Sequence, residues 1–263
     1  MTRTVLLALL AGCAVSQQQE VQLGADYSNQ IEKELPMVRD GEVNRYITQL
    51  GNQLARVTDT RGLTWHFRVV NSREVNAFAV PGGWIYLNRG LIERATSMSQ
   101  VAGVLGHEIG HVTRRHTVEQ MQQAQGANVG LVALCTLTGA CQSGAARTAI
   151  GVGGTALFAR FSRNDEREAD QEAVSTVIKA GIDPNGIPEM FRILIAERKR
   201  NPNALESFFS THPLAEDRVE ETQSLIGTYP ASQLRGLTRD TPGFQSFRRR
   251  LLSLPAPPPA KKS

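Results

Sequence analysis

Several things are scarce in this chain of 263 residues, and each scarcity excludes a class. Only three cysteines are present, too few for a disulfide-built mini-domain. The formal net charge is only +4, and six cations sit at the ends: Arg3, Arg248, Arg249, Arg250, Lys261 and Lys262. Without those six the body carries −2, so nucleic acid is not expected as a partner despite a sequence pI near 9.2. No apolar run approaches the ~20 residues of a spanning helix, which excludes a polytopic membrane protein. Internal repeats are missing too, which excludes a solenoid. What is present is an ordinary globular balance, with 41% hydrophobic residues, 23 glycines and enough chain for one large domain.

The first residues read as an address. One cation, Arg3, is followed by a short apolar run from Val5 to Ala11, the layout of a secretory signal. Leu10-Ala11-Gly12-Cys13 resembles a bacterial lipobox, in which the cysteine becomes the lipidated first residue of the mature chain. The expectation is a signal peptide over 1–12 and a lipidated, Gln-rich linker over 13–24. With Ala14 next, the resemblance points to an outer-membrane lipoprotein facing the periplasm of a Gram-negative cell. In that oxidising compartment Cys135 and Cys141 are free to pair; the alternative is two buried thiols. Beyond residue 240 a basic, Pro-rich stretch (241–263) reads as a disordered tail.

Between these ends, Val43, Tyr46, Ile47, Leu50, Leu54 and Val57 form one face of an amphipathic helix. Thr64 to Val70 alternates as a strand, and Ala77–Val80 and Trp84–Leu87 read as extended pieces around Pro81-Gly82-Gly83. Ser97 to Gln100 has capping-box spacing and opens a helix running to about Gln125. Further helices are expected over roughly 163–180, 187–197 and 213–225. Helices outnumber strands, so the class is α+β.

His107-Glu108-Ile109-Gly110-His111 fits H-E-x-x-H inside the expected helix. Positions four apart stand about 40° apart round a helix and one turn along it, so both imidazoles reach one metal ion. Zinc would lower the pKa of a bound water, and Glu108 would take its proton. A third protein ligand is needed. His66, His116, His212 and the acids of Asn164 to Asp170 are the candidates. His116 stands about 140° round from His111 on a continuous helix and is expected to face away. Glu166 and Asp170 share one face, but so do Glu168 and Glu172, and helix geometry does not choose between the pairs. Gly110 inside a helix costs about 1 kcal/mol relative to Ala, which points to close packing.

The H-E-x-x-H motif followed by Ser162-Arg163-Asn164-Asp165-Glu166-Arg167-Glu168-Ala169-Asp170 resembles the paired motifs of the HtpX and CAAX-prenyl-protease type zinc metallopeptidases. Asn76 to Gly83, Gly181 to Pro184, and Ser210-Thr211-His212-Pro213 through Arg218 match as well. The likeness is nearest to the soluble periplasmic BepA/LoiP-like branch. It implies a mostly helical zincin-like metallopeptidase domain over 25–240, with a small sheet whose edge strand faces the active-site cleft. It implies one zinc ion held by His107, His111 and Glu166, with Glu108 catalytic and Asp170 holding a ligand histidine's other ring nitrogen. Arg218 and His212 are placed near the metal, with His212 filling its open position at rest; the plainer alternative makes His212 a helix-start residue before Pro213. Polypeptide substrates are expected to lie extended along Trp84–Leu87, and envelope assembly machinery is the implied partner. The implied task is quality control of misfolded envelope proteins. The rival is an assembly or chaperone-like lipoprotein with a latent or structural zinc site.

Overall fold

The computed structural model describes residues 15–124, 160–213 and 217–258. Cys13, Cys135 and Cys141 lie outside the described residues, as does most of the uncharged stretch from Gln120 to Ala146.

Three strands form a mixed sheet: β1 (His66–Val70), β2 (Ala77–Val80) and β3 (Trp84–Asn88), in the order β1-β3-β2. β3 runs parallel to β1, with His66 opposite Trp84, and antiparallel to β2, with Ala77 opposite Leu87. This corrects one expectation. Trp84–Leu87 is the central strand with both edges paired, and β2 is the edge strand beside the metal-motif helix. Gly82 and Gly83 make the β2–β3 turn with φ of 79° and 99°, a region that side chains with a Cβ rarely enter.

The period of two divides the sheet's faces. Phe67, Val69, Ala77, Ile85 and Leu87 point into the main core, while Val70, Phe78, Val80 and Tyr86 point the other way. That second face is covered by α1 (Gln17–Glu34) through Tyr27 and Ile31, and Tyr86 Oη donates to Ser28 Oγ at 2.8 Å. Of the expected linker, residues 17–24 belong to this helix. Ser16 caps it with a reciprocal box to Gln19, and Glu20 is fully buried between Arg61 and Arg115.

The main core lies under α2 (Gly41–Thr58), α3 (Arg89–Arg94) and α4 (Met98–Thr113). α4 is followed by a break at 114–115 and a further helical stretch at 116–124. The Ser97 capping box does not form: Gln100 Oε1 accepts from Thr96 N, and the Met98 N–H is capped by Asp240 Oδ1 at 3.0 Å. After the second described segment begins come α5 (Arg163–Lys179), α6 (Gly186–Arg200) and the short α7 (Glu206–Thr211). Then follow α8 (Asp217–Gly227), α9 (Ala231–Leu234) and α10 (Pro242–Ser253).

The expected disordered tail is ordered through α10. Thr241 caps that helix, and Phe244, Phe247 and Leu251 are buried against α2 and α3, with Phe247 stacked on Tyr46 at 4.5 Å. Burying each such side chain contributes about 1.5–3 kcal/mol, enough to order a helix whose composition beyond it is Pro-rich. Arg89 then holds the chain past the helix by donating to Pro255 O at 2.7 Å. No helix among the described residues is long and apolar enough to cross a membrane.

Candidate metal centre

Two helices make the site, and small residues set their distance. A Cβ on Gly106 would stand 3.2 Å from Ala173 Cα, and one on Gly110 would stand 3.1 Å from both Cα and O of Ala169. α4 and α5 thus pack almost backbone to backbone, which is the packing reason for Gly110 in a helix. The start of α5 is fixed by Ser162, whose Oγ accepts from Asp165 N while Asp165 Oδ2 accepts from Ser162 N. That start puts Glu166 and Asp170 on the face turned to α4, whereas Glu168 is half-exposed and Glu172 pairs with Arg114. Helix phase alone left the two pairs equal; the contact between helices separates them.

His107, His111, Glu166 and His212 are all buried, and each offers one donor atom within 4.8 Å of the others. His107 Nε2 lies 3.0 Å from His111 Nε2 and 3.6 Å from Glu166 Oε2; His111 Nε2 lies 3.5 Å from Glu166 Oε1. Donors about 2.1 Å from a tetrahedral zinc stand about 3.4 Å apart, so the observed spread fits that ion. Two imidazoles and a carboxylate are also the donor types zinc prefers.

Around the donors runs an ionic frame. Asp170 Oδ1 lies 2.9 Å from His107 Nδ1. Arg218, buried at the start of α8, donates from Nε to Asp170 Oδ2 at 2.8 Å and from Nη2 to Oδ1 at 2.7 Å. Its Nη1 donates to Glu166 Oε2, and its guanidinium lies 4.6 Å from the Phe191 ring centre. Burial alone would raise both carboxyls. For Glu166 the His212 charge, hydrogen bonds from His111 and His212, and Arg218 outweigh burial and hold it well below the usual carboxylate range. For Asp170 the charge of Arg218 and the His107 contact outweigh burial and lower its pKa from the ordinary value. Burial also holds His111 well below the usual histidine range, which leaves its imidazole neutral and free to ligate.

Glu108 behaves in the opposite way. Burial pushes its carboxyl up against the opposing pull of His212 and His107, and neither oxygen has a hydrogen-bond partner among the described residues. Beside it, a small cavity is walled by Val104, Ile187, Met190, Phe191, Leu194 and Phe208.

His212 caps the C-terminal end of α7, so it finishes a helix and does not start one. Its Nδ1 lies 3.0 Å from Glu166 Oε1 and its Nε2 lies 3.6 Å from Glu108 Oε1. Those two carboxylates raise its pKa against the lowering effect of burial.

The two remaining histidines part company. His66 stays on the sheet, stacked on Trp84 at 3.8 Å. His116, expected to face away, is buried with Nδ1 2.9 Å from His111 Nδ1, because the helix breaks before it and the chain turns back. Phe161 was not foreseen at all. Its ring stacks on His111 at 3.9 Å, and its N–H donates to Thr211 O at 2.9 Å, joining the approach to α5 to the end of α7. The available signal was an aromatic residue directly before the capping serine.

Comparison with known proteins supplies an independent line. The model of "Peptidase family M48" matches residues 42–226. The "Putative beta-barrel assembly-enhancing protease" of Vibrio cholerae is 31% identical over 234 residues, covering 87% of this chain and 48% of the relative. The "Beta-barrel assembly-enhancing protease" of Escherichia coli K12 is 31% identical over 220 residues, covering 81% and 45%. The "Metalloprotease LoiP" of the same organism is 29% identical over 181 residues, 69% of each chain. The chain spans about half the length of the two assembly-enhancing relatives. The matched span carries both motif helices, the sheet and the Arg218 frame, and on that ground the chain belongs to peptidase family M48.

Proposed function

We propose that this protein is a zinc-dependent metalloendopeptidase of the Gram-negative cell envelope that hydrolyses peptide bonds in misfolded or misassembled envelope proteins. One observation carries the reading: Glu108 is buried beside three convergent metal donors, and neither of its oxygens has a hydrogen-bond partner among the described residues. A structural carboxylate at that depth would be hydrogen-bonded. An unpartnered one suits a group that receives a proton during turnover.

His107, His111 and Glu166 would hold a zinc ion, which would supply Lewis acidity to a water and to the scissile carbonyl. Glu108 accepts the water's proton as the oxygen attacks, then delivers it to the departing amine nitrogen. Burial, which raises its pKa, helps it hold that proton between the two steps. Asp170, itself fixed by Arg218, orients His107 through Nδ1. The substrate lies extended along the outer edge of β2. Asn88 N donates to Asn76 O, so by antiparallel alternation residues 76, 78 and 80 bond to β3 while Ala77 and Ala79 turn their N–H and C=O outward.

His212 supports a second reading. Four buried protein donors resemble a closed structural site, which suits a latent or structural zinc in an assembly factor. We read His212 instead as a resting occupant of the fourth position that leaves when substrate enters. Anchoring in the outer membrane through lipidated Cys13 rests on the Leu10–Cys13 pattern. A link to envelope assembly machinery rests on the names of two relatives. The test is digestion of casein by the zinc-loaded chain and by Glu108→Gln. Cleavage by the parent alone supports the peptidase; zinc bound with no cleavage by either favours the assembly factor.

A further inference from the structure

We propose that His116 is a positioning residue for the metal ligand His111, held in place by a strained turn that the N-terminal helix α1 clamps. The inference rests on the metal centre described above.

An imidazole that binds a metal through Nε2 carries its proton on Nδ1, and that proton needs an acceptor. For His107 the acceptor is the Asp170 carboxylate, 2.9 Å away. For His111 the atom at the same distance is His116 Nδ1. Accepting there leaves His116 with its proton on Nε2, which faces Glu168 Oε2 at 3.5 Å, a contact too long for a hydrogen bond. The two ligand rings are therefore backed differently: one by a buried charge, the other by a neutral ring.

An unbroken helix would not allow this, because five residues carry a side chain about 140° round. Arg115 breaks it. Its φ of 63° is the single positive value at a non-glycine residue among the described residues. A left-handed arginine is unfavourable on its own and persists only where surroundings fix it. Here Arg115 Nε donates to Glu20 Oε2 at 2.9 Å and its Nη2 donates to Val15 O. Glu20 is buried and also takes Arg61 Nη1, while Arg61 Nη2 donates to Val112 O in the last turn of α4. Residues 15–20 thus grip the end of the metal helix from outside and turn His116 back beneath His111.

The test measures zinc affinity by chelator competition on the full chain, for the parent, His116→Phe and His116→Asn, with the melting temperature of each metal-free protein. Phe keeps a ring and removes the acceptor. Asn removes the ring and keeps an acceptor, since its Oδ1 is bonded to Cγ as Nδ1 is. The expected result is a loss of about 10–100-fold for Phe and less than about threefold for Asn. Parental affinity in the Phe variant overturns the proposal, and so does an Asn variant that loses about tenfold or more, which would mark a packing role. Where the Phe variant does not fold, an Asn variant that loses about tenfold or more still overturns the proposal. A parent that binds no zinc contradicts the metal centre itself, a different failure.

Discussion

The Cα of Ala169 stands 3.1 Å from the place where a Cβ on Gly110 would lie, and this contact sets how near Glu166 comes to the two motif histidines. The two nearest atoms are backbone and the third is Glu172 Cβ at 3.2 Å, so relief requires α5 to move as a unit. Gly110→Val gains helix propensity over glycine but forces branched methyl groups into that gap. The expected outcome is a destabilisation of about 1–3 kcal/mol together with weakened zinc binding, read by thermal melts and chelator competition. A variant of parental stability and affinity would show that the helices are not held at this distance.

Acid should loosen the frame around Arg218. The Asp170 carboxyl is held below its ordinary value of 3.8 in the folded protein, so its stabilisation is present above that value and is lost as pH falls through the folded pKa. Melting temperatures of the metal-free protein are expected to drop as pH goes below about 4. Asp170→Asn should be less stable at neutral pH, because it removes the ionised partner of buried Arg218, and should show a shallower acid limb.

His212 divides the two functional readings. Removing it opens the fourth position, so His212→Ala should keep one zinc per chain, bind it less tightly, and cleave casein faster than the parent. Unchanged cleavage would mean that His212 is not the barrier; complete loss of zinc would mean that it is an obligatory ligand.

The helix α10 is part of the folded domain. Phe244 is fully buried, and Phe244→Ala should cost about 3–5 kcal/mol. For a domain of this size that is a fall of roughly 6–20 °C in melting temperature. A shift within a degree or two would place residues 242–253 outside the cooperative unit.

Local patterns foretold local structure. The period of α2, the alternation of β1, and the ligand spacing in α4 all depend on neighbours within one element, and they are found where the sequence put them. Glu166 was singled out by resemblance; in the structure it is the contact of Gly106 and Gly110 with Ala173 and Ala169 that turns it inward. What was not legible depends on distant partners. The strand order makes β2 an edge because β1 pairs directly with β3, skipping β2 in sequence, and no local signal records that. His116 was misplaced because an arginine in a left-handed turn has no sequence signature; its partner Glu20 lies 95 residues away. Residues 17–24 read as part of a linker and 242–253 as part of a tail by composition, yet each docks on surfaces built by the middle of the chain.

The most direct test of the account is a zinc titration of Glu166→Gln beside Glu172→Gln, an acid on the same helix that pairs with Arg114. The account predicts near-parental affinity for Glu172→Gln and a loss of more than about 100-fold for Glu166→Gln, larger than the effect of removing a residue that only supports a ligand. Parental zinc affinity in Glu166→Gln would contradict it.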